Sequence, residues 1–234
     1  MSDRRLRLIV GIGGASGAAY ACRLLDHLVQ DRRLLARVEP HIVFSKMGRV
    51  TWSGEVQVDI GDRYPGLPIH DHNALSAPVA SGSAQYDAMI IMPCSASGLG
   101  RIANGVSTDL LGRAAEVTLK ERRPLVLGLR ETPYHLPLIR NMATLTEAGA
   151  TVLPLSPSFY ANPFSIDDLL DTVVSRALDL VGVENDLTER WHGSYPGAVD
   201  PIPVSIASQD TGFNYDDGIP PTDIIETPKL DSDD

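Results

Sequence analysis

Short apolar runs alternate with longer stretches whose apolar positions recur at helical spacing. Arg7–Ile12 is an apolar run that ends in glycines, and in Ala18–Leu34 the residues Leu24, Leu25, Leu28 and Val29 mark one helical face. His41–Ser45 reads as a second strand and Lys46–Gly54 as a helix. Residues 56–85 are rich in Gly, Pro, Asp and Ser without a clear period, so irregular loops are expected there. Tyr86–Met92 reads as a buried strand ended by Pro93. A helix is expected over 108–121, a strand over Pro124–Leu129, a helix over Leu136–Ala148 and a strand over Thr151–Leu155. The last helix spans Ser165–Val181, with Ser165 as its cap ahead of Asp167 and Asp168. Strands that read as continuous apolar runs, separated by helices, predict an α/β three-layer sandwich with a mainly parallel sheet covered on both faces.

After Trp191 the pattern stops. We expect a body over 1–192 and an acidic, Pro-rich segment over 193–234, either a disordered tail or an oligomer arm. The net charge of −10 belongs mostly to that segment: residues 201–234 carry eight acids and one base, leaving −3 for residues 1–200. The body is therefore nearly balanced, and no basic face points to nucleic acid. No apolar run is long enough for a membrane span, and the N-terminus lacks a signal-peptide pattern, so a cytoplasmic protein is expected. Cys22 and Cys94 suit a reducing compartment and are too few for a disulfide framework or a zinc site.

Five segments carry candidate chemistry. The loop Gly11–Gly17 lets a backbone approach a ligand and offers a helix start to a phosphate. It breaks the dinucleotide pattern at Ser16, so a single phosphate or a polar ring edge suits it better than a pyrophosphate. The segment Met92-Pro93-Cys94-Ser95-Ala96-Ser97-Gly98, at the end of the strand 86–92, can wall a shared cleft with the first loop, although such a segment alone is usually just a turn. Arg113 and Lys120 lie seven apart on one helical face, which is either a ligand-facing pair or a solvated helix end. Arg130 follows a strand and can fork onto a phosphate or a flavin carbonyl; Glu131 beside it is an acid/base candidate or its ion-pair partner. Tyr160 and Arg176 can both hold a phosphate.

The blocks GGASGAAYA, FSK, ASGS, MPCS, RAAEVTLKERRPLVL, RETP, NMATLTEAGA and SPSFY, in that order, resemble the flavin prenyltransferase (UbiX-type) family from about residue 6 to Trp191. The resemblance implies a flavodoxin-like, Rossmann-like fold and a homo-oligomer, usually a dodecamer. It implies transfer of a dimethylallyl group from dimethylallyl phosphate to reduced FMN, without a metal. The product, prenylated FMN, would serve a UbiD-type decarboxylase. The family's flavin site maps onto Gly14, Ala15, Ser16, Ser45, Ser95, Ala96, Ser97, Gly98 and Arg130. Its prenyl-phosphate site maps onto Lys120, Tyr160 and Arg176, with Arg113 close by, and the acids Glu55 and Glu131 also match. In that chemistry the cations and the tyrosine stabilise the departing phosphate. A carboxylate such as Glu131, or the phosphate itself, takes the proton lost on ring closure, and Glu55 orients or protonates the phosphate. Gly98 stands where the family commonly has Thr, and Thr108-Asp109 where Asp-Asn or Asp-Gly is usual. The alternatives are an FMN-dependent cysteine-type decarboxylase and a non-catalytic FMN-binding subunit. His27, inside the first helix, does not match the decarboxylase's catalytic histidine.

Every matched residue precedes Trp191, so the acidic segment is expected to be dispensable for chemistry. A chain ending at Gly193 should turn over at the full-length rate. A truncated protein that stays folded and oligomeric but makes no prenylated flavin would contradict this.

Overall fold

A computed structural model of the chain describes residues 4–193. Its centre is a six-stranded, all-parallel sheet: β1 (Leu6–Ile12), β2 (Val38–Phe44), β3 (Ile69–His70), β4 (Ala88–Cys94), β5 (Leu125–Leu129) and β6 (Thr151–Pro154), in the spatial order β3-β2-β1-β4-β5-β6. Without the two-residue edge strand β3 the five longer strands have the flavodoxin order, and β3 extends it to the doubly wound Rossmann order.

Alternate strand residues serve opposite faces. Leu8, Val10 and Ile12 of β1 and Ile90 and Met92 of β4 join one core. That core packs under α1 (Ala18–Gln30), α2 (Arg32–Arg37), α3 (Lys46–Glu55), α4 (Ile60–Arg63) and α8 (Ile166–Leu180). Ile9 of β1 and Met89 and Ile91 of β4 join the other, under α5 (Ala96–Ala103), α6 (Leu110–Lys120) and α7 (Leu136–Glu147). Burial on both faces is why the strands lack an apolar–polar alternation. Among the described residues, no helix is long and apolar enough to cross a membrane.

The structure departs from the sequence reading at four places. The helix expected over 18–34 is two, because the Asp31 backbone is extended and its carboxylate accepts the Arg33 N–H at 2.7 Å, ending α1 and capping α2. Pro93 does not end β4: after a register shift the strand resumes pairing at Cys94 with Leu129. The segment after it, where the sequence pattern shows no helix, forms α5, whose Leu99 and Ile102 are buried while glycines at 98 and 100 obscure the helical signal. The irregular stretch 56–85 contains α4, β3 and two short 3₁₀ turns, Pro78–Ala80 and Gly82–Ala84. The expected cap at Ser165 is present as a full capping box with Asp168. The expectation about 193–234 falls outside the described residues beyond Gly193.

The start of α3 is pressed against the end of β1. Ser45 N–H donates to the Ile12 carbonyl at 3.0 Å, and a Cβ on Gly48 would overlap that same oxygen. Gly48→Ala should therefore destabilise the fold by about 1–3 kcal/mol, as overpacking does. Thermal unfolding checks this; an unchanged melting temperature would show that α3 can shift freely.

Candidate active site

The strand order reverses between β1 and β4, and their loops leave the sheet on opposite faces. A crevice at the carboxyl ends of the strands follows from that reversal. Gly13 N–H donates to the Pro93 carbonyl at 2.9 Å, so the two loops are tied at its base. Three helices begin around it, each capped by a side chain. Ser45 Oγ accepts the Gly48 N–H at 3.0 Å, Ser95 Oγ accepts the Gly98 N–H at 3.1 Å, and an Asp109 carboxylate oxygen accepts the Gly112 N–H at 2.8 Å.

The cleft holds about 560 Å³ and is lined by Gly14, Ser45, Ser95 and Ser97 of the expected flavin set. Gly98 lines its narrow inner end, together with Cys94 and Leu111. Ala15 is buried in the fold, and Ala96 is the first residue of α5. Ser16 sits on the rim, where its carbonyl accepts Arg130 Nε–H at 3.0 Å. Arg130 and Glu131 wall a second hollow of about 470 Å³ with Tyr134 and Leu155.

The sequence reading assigned no role to His72, Asn73, Arg101 or Asp109, all of which line the main cleft. Asp109 carried a readable signal, an acid directly before an amphipathic helix. Arg101 could have been found as the residue four after Ser97 once α5 was recognised as a helix. His72 and Asn73 enter from the segment after β3, which no local pattern marks. His72 Nδ1 is buried, makes no hydrogen bond and lies 3.6 Å from an Asp71 carboxylate oxygen. A roomy, hydroxyl-lined crevice with three helix N-termini fits a polar, phosphate-bearing ligand such as FMN.

The start of α1 is not available for a phosphate, contrary to the expectation from the glycine loop. Glu55, exposed at the end of α3, accepts the Gly17 N–H at 2.9 Å and the Ala18 N–H at 2.8 Å with one carboxylate oxygen. Gly17 takes φ 117° to present its amide this way, a conformation open to glycine. Burial raises the Glu55 pKa, but these amides, the Ser16 hydroxyl and the Arg130 charge outweigh it and hold the carboxyl below its ordinary range.

The residues expected at the prenyl-phosphate site are not brought together within one chain. Arg113 donates to the Ala80 carbonyl at 3.3 Å and pairs with Glu116 at 3.4 Å. Lys120 is exposed at the end of α6, paired with Glu121. Eleven residues of helix carry it about 16 Å from the cleft where α6 begins. Tyr160 donates to the Glu189 carbonyl at 3.4 Å and lies edge-on to Trp191. Arg176, exposed on α8, pairs with Asp179 at 2.9 Å. Among the described residues, no hydrogen bond or ion pair joins Lys120, Tyr160 and Arg176. His27 is committed to Asp171, at 2.7 Å, which also binds Arg23 between α1 and α8. Among the described residues no group of three or more His, Cys, Asp or Glu is placed to hold a metal ion.

The Flavoprotein family model matches residues 1–178. A flavin prenyltransferase UbiX from Thauera aromatica is 44% identical over 191 residues, covering 81% of this chain and 95% of the relative. The chain belongs to the flavin prenyltransferase family. A second member of this family, from Thermoplasma acidophilum, is 42% identical over 188 residues, covering 80% of this chain and all of the relative. The crystal structure of AnUbiX, in complex with FMN and dimethylallyl pyrophosphate, superposes with a TM-score of 0.75 at 41% identity, over 82% of this chain and all of that one. A dodecameric, FMN-dependent UbiX-like decarboxylase from Escherichia coli O157:H7 superposes at 0.74 with 37% identity, over 80% of this chain and all of that one. The peptidyl-cysteine decarboxylase EpiD superposes at 0.53 with 17% identity, which shows a shared fold alone.

As a flavin prenyltransferase whose α1 start is capped by Glu55, the protein should lose a definite increment of stability in Glu55→Ala, about 0.5–2 kcal/mol. Because the folded carboxyl is held low, the contribution is present above the ordinary carboxylate range and lost as pH falls through the depressed value. Denaturant melts at neutral and acidic pH should therefore converge for parent and variant in acid. A difference that persists in acid would show that the carboxylate charge is not what holds α1.

Proposed function

We propose that this protein transfers the dimethylallyl group of dimethylallyl phosphate to reduced FMN, yielding prenylated FMN for a UbiD-type decarboxylase. The observation that carries the reading is the switch-point cleft, walled by Gly14, Ser45, Ser95, Ser97 and Gly98, in a chain with full-length prenyltransferase relatives. FMN bound there, with Arg130 and Ser16 at the rim, supplies the nucleophilic flavin. Glu131, half-buried in the adjoining hollow beside Arg130, is placed to accept a proton. The apolar walls of that hollow, Leu129, Pro133 and Leu155, keep water from the allylic carbon.

The cations complete the site through assembly. Lys120 and Arg176 stand on helices that lead away from their own cleft, so neighbouring subunits bring them, with Tyr160 and Arg113, to the donor phosphate. Phe159, Phe164 and Ile166, near Tyr160, are 70%, 97% and 74% exposed, a concentration of apolar surface suited to a neighbouring chain. A homododecamer like the Escherichia coli relative is the assembly this favours. In this reading residues 1–192 carry the chemistry and 193–234 form an acidic tail or oligomer arm. The reaction takes place in the cytoplasm, in keeping with two unbridged cysteines. The cysteine-decarboxylase reading has no support at His27, which is held by Asp171 away from the cleft.

The direct test is incubation with reduced FMN and dimethylallyl phosphate, followed by flavin mass. Gain of a prenyl group is expected; an unchanged flavin would overturn the assignment. Lys120→Ala and Arg176→Ala should each raise donor KM about ten- to a hundredfold, from one lost charge-assisted hydrogen bond, with FMN affinity retained. Glu131→Gln should lower kcat with donor affinity unchanged. Co-assembly of Lys120→Ala and Glu131→Gln subunits should restore part of the activity; no recovery in confirmed mixed oligomers would argue against a shared site.

A further inference from the structure

Arg101 is a cation without an acid. It lies on α5, lines both the broad cleft and its narrow inner end, and is half-buried. Among the described residues its guanidinium makes no hydrogen bond and no ion pair, whereas Arg113, Lys120, Arg176 and Arg190 are each paired with a carboxylate. Lys46, the other cation of the cleft, is exposed. The acid of the cleft, Asp109, is engaged in capping α6. A half-buried guanidinium without a partner calls for an anion.

The helix sets what that anion meets. Ser97 and Arg101 are four residues apart on one face of α5, and helical side chains lean toward the N-terminus, so Arg101 reaches back over the first turn. Gly98, one turn below Arg101, carries no side chain to obstruct it. In that turn the Gly98 amide is taken by Ser95 Oγ and the Leu99 amide by the Ser95 carbonyl. The Ala96 and Ser97 amides, the first two of the helix, have no intrahelical acceptor. The Ser97 hydroxyl, these two amides and the guanidinium that reaches back toward them thus all belong to the first two turns of α5 at the edge of the cleft. Of the two ends of FMN, the phosphate is the one whose chemistry matches this set of donors. The flavin ring, which must meet the donor at Arg130 and Glu131, then lies toward the rim.

We propose that Arg101 binds the phosphomonoester of FMN and makes the protein select FMN over riboflavin. This rests on the prenyltransferase reading, which supplies FMN as the ligand, and adds to it both the residue and the orientation.

Flavin titrations separate the two claims. The parent protein should bind FMN well and riboflavin weakly; a parent that binds no FMN would overturn the functional reading and this inference together. Arg101→Met should weaken FMN about ten- to a hundredfold and leave riboflavin affinity unchanged, and Arg101→Lys should recover part of the FMN affinity. Riboflavin is the internal control for folding. An equal loss of both flavins would mean a structural role only. Unchanged FMN affinity with a raised KM for dimethylallyl phosphate would assign Arg101 to the donor phosphate. Either result would overturn the proposal while leaving the functional reading intact.

Discussion

Parallel strands on either side of a reversal in strand order send their following loops to opposite faces, and the gap between those loops cannot be filled by either helix. Here the reversal lies between β1 and β4, and the loops and helix starts that line the cleft are arranged around that gap. It is held open by backbone contacts rather than by side-chain packing. The Gly13 amide bonds to the Pro93 carbonyl, and the Ser45 amide to that of Ile12. Gly48 permits α3 to start against the same carbonyl. Larger residues at these positions would move the walls of the cleft before they touched any ligand.

Around the gap, helix N-termini are divided between structure and ligand. Glu55 occupies the start of α1 and satisfies two of its amides with an internal carboxylate. The starts of α3, α5 and α6 are capped by short side chains that satisfy one amide each and leave others without an intrahelical acceptor. The field of these three helix ends favours an anion, and the basic Arg101 strengthens it.

Helix direction explains why Lys120 and Arg176 stand apart from the cleft of their own chain. In a parallel sheet each helix must run back from the carboxyl ends to the amino ends, so a residue late in a helix is remote from the cleft where that helix began. Lys120 is the last residue of α6, and Arg176 lies in the second half of α8. Their conformations here are set by local acids, Glu121 and Asp179. Those exposed pairs hold them weakly.

The sequence alone determined the architecture, because strands buried on both faces must be uniformly apolar and helices covering them must be amphipathic, and both signals are local. It also marked the glycine loop Gly11–Gly17 and the Ser95–Gly98 segment, since a small residue after a strand is needed wherever backbone must come close, whereas Ser45 came from the family resemblance. Long-range contacts decided the rest. Glu55 is brought to the start of α1 by a partner 38 residues away in sequence, and no spacing rule foretells that. The edge strand Ile69–His70 is too short for a period, and exists because β2 offers it unpaired backbone groups. Arg101 gained meaning only when the turn after β4 proved to be a helix and its guanidinium was found without an acid. Pairing is a property of three-dimensional neighbours, which a linear pattern does not contain.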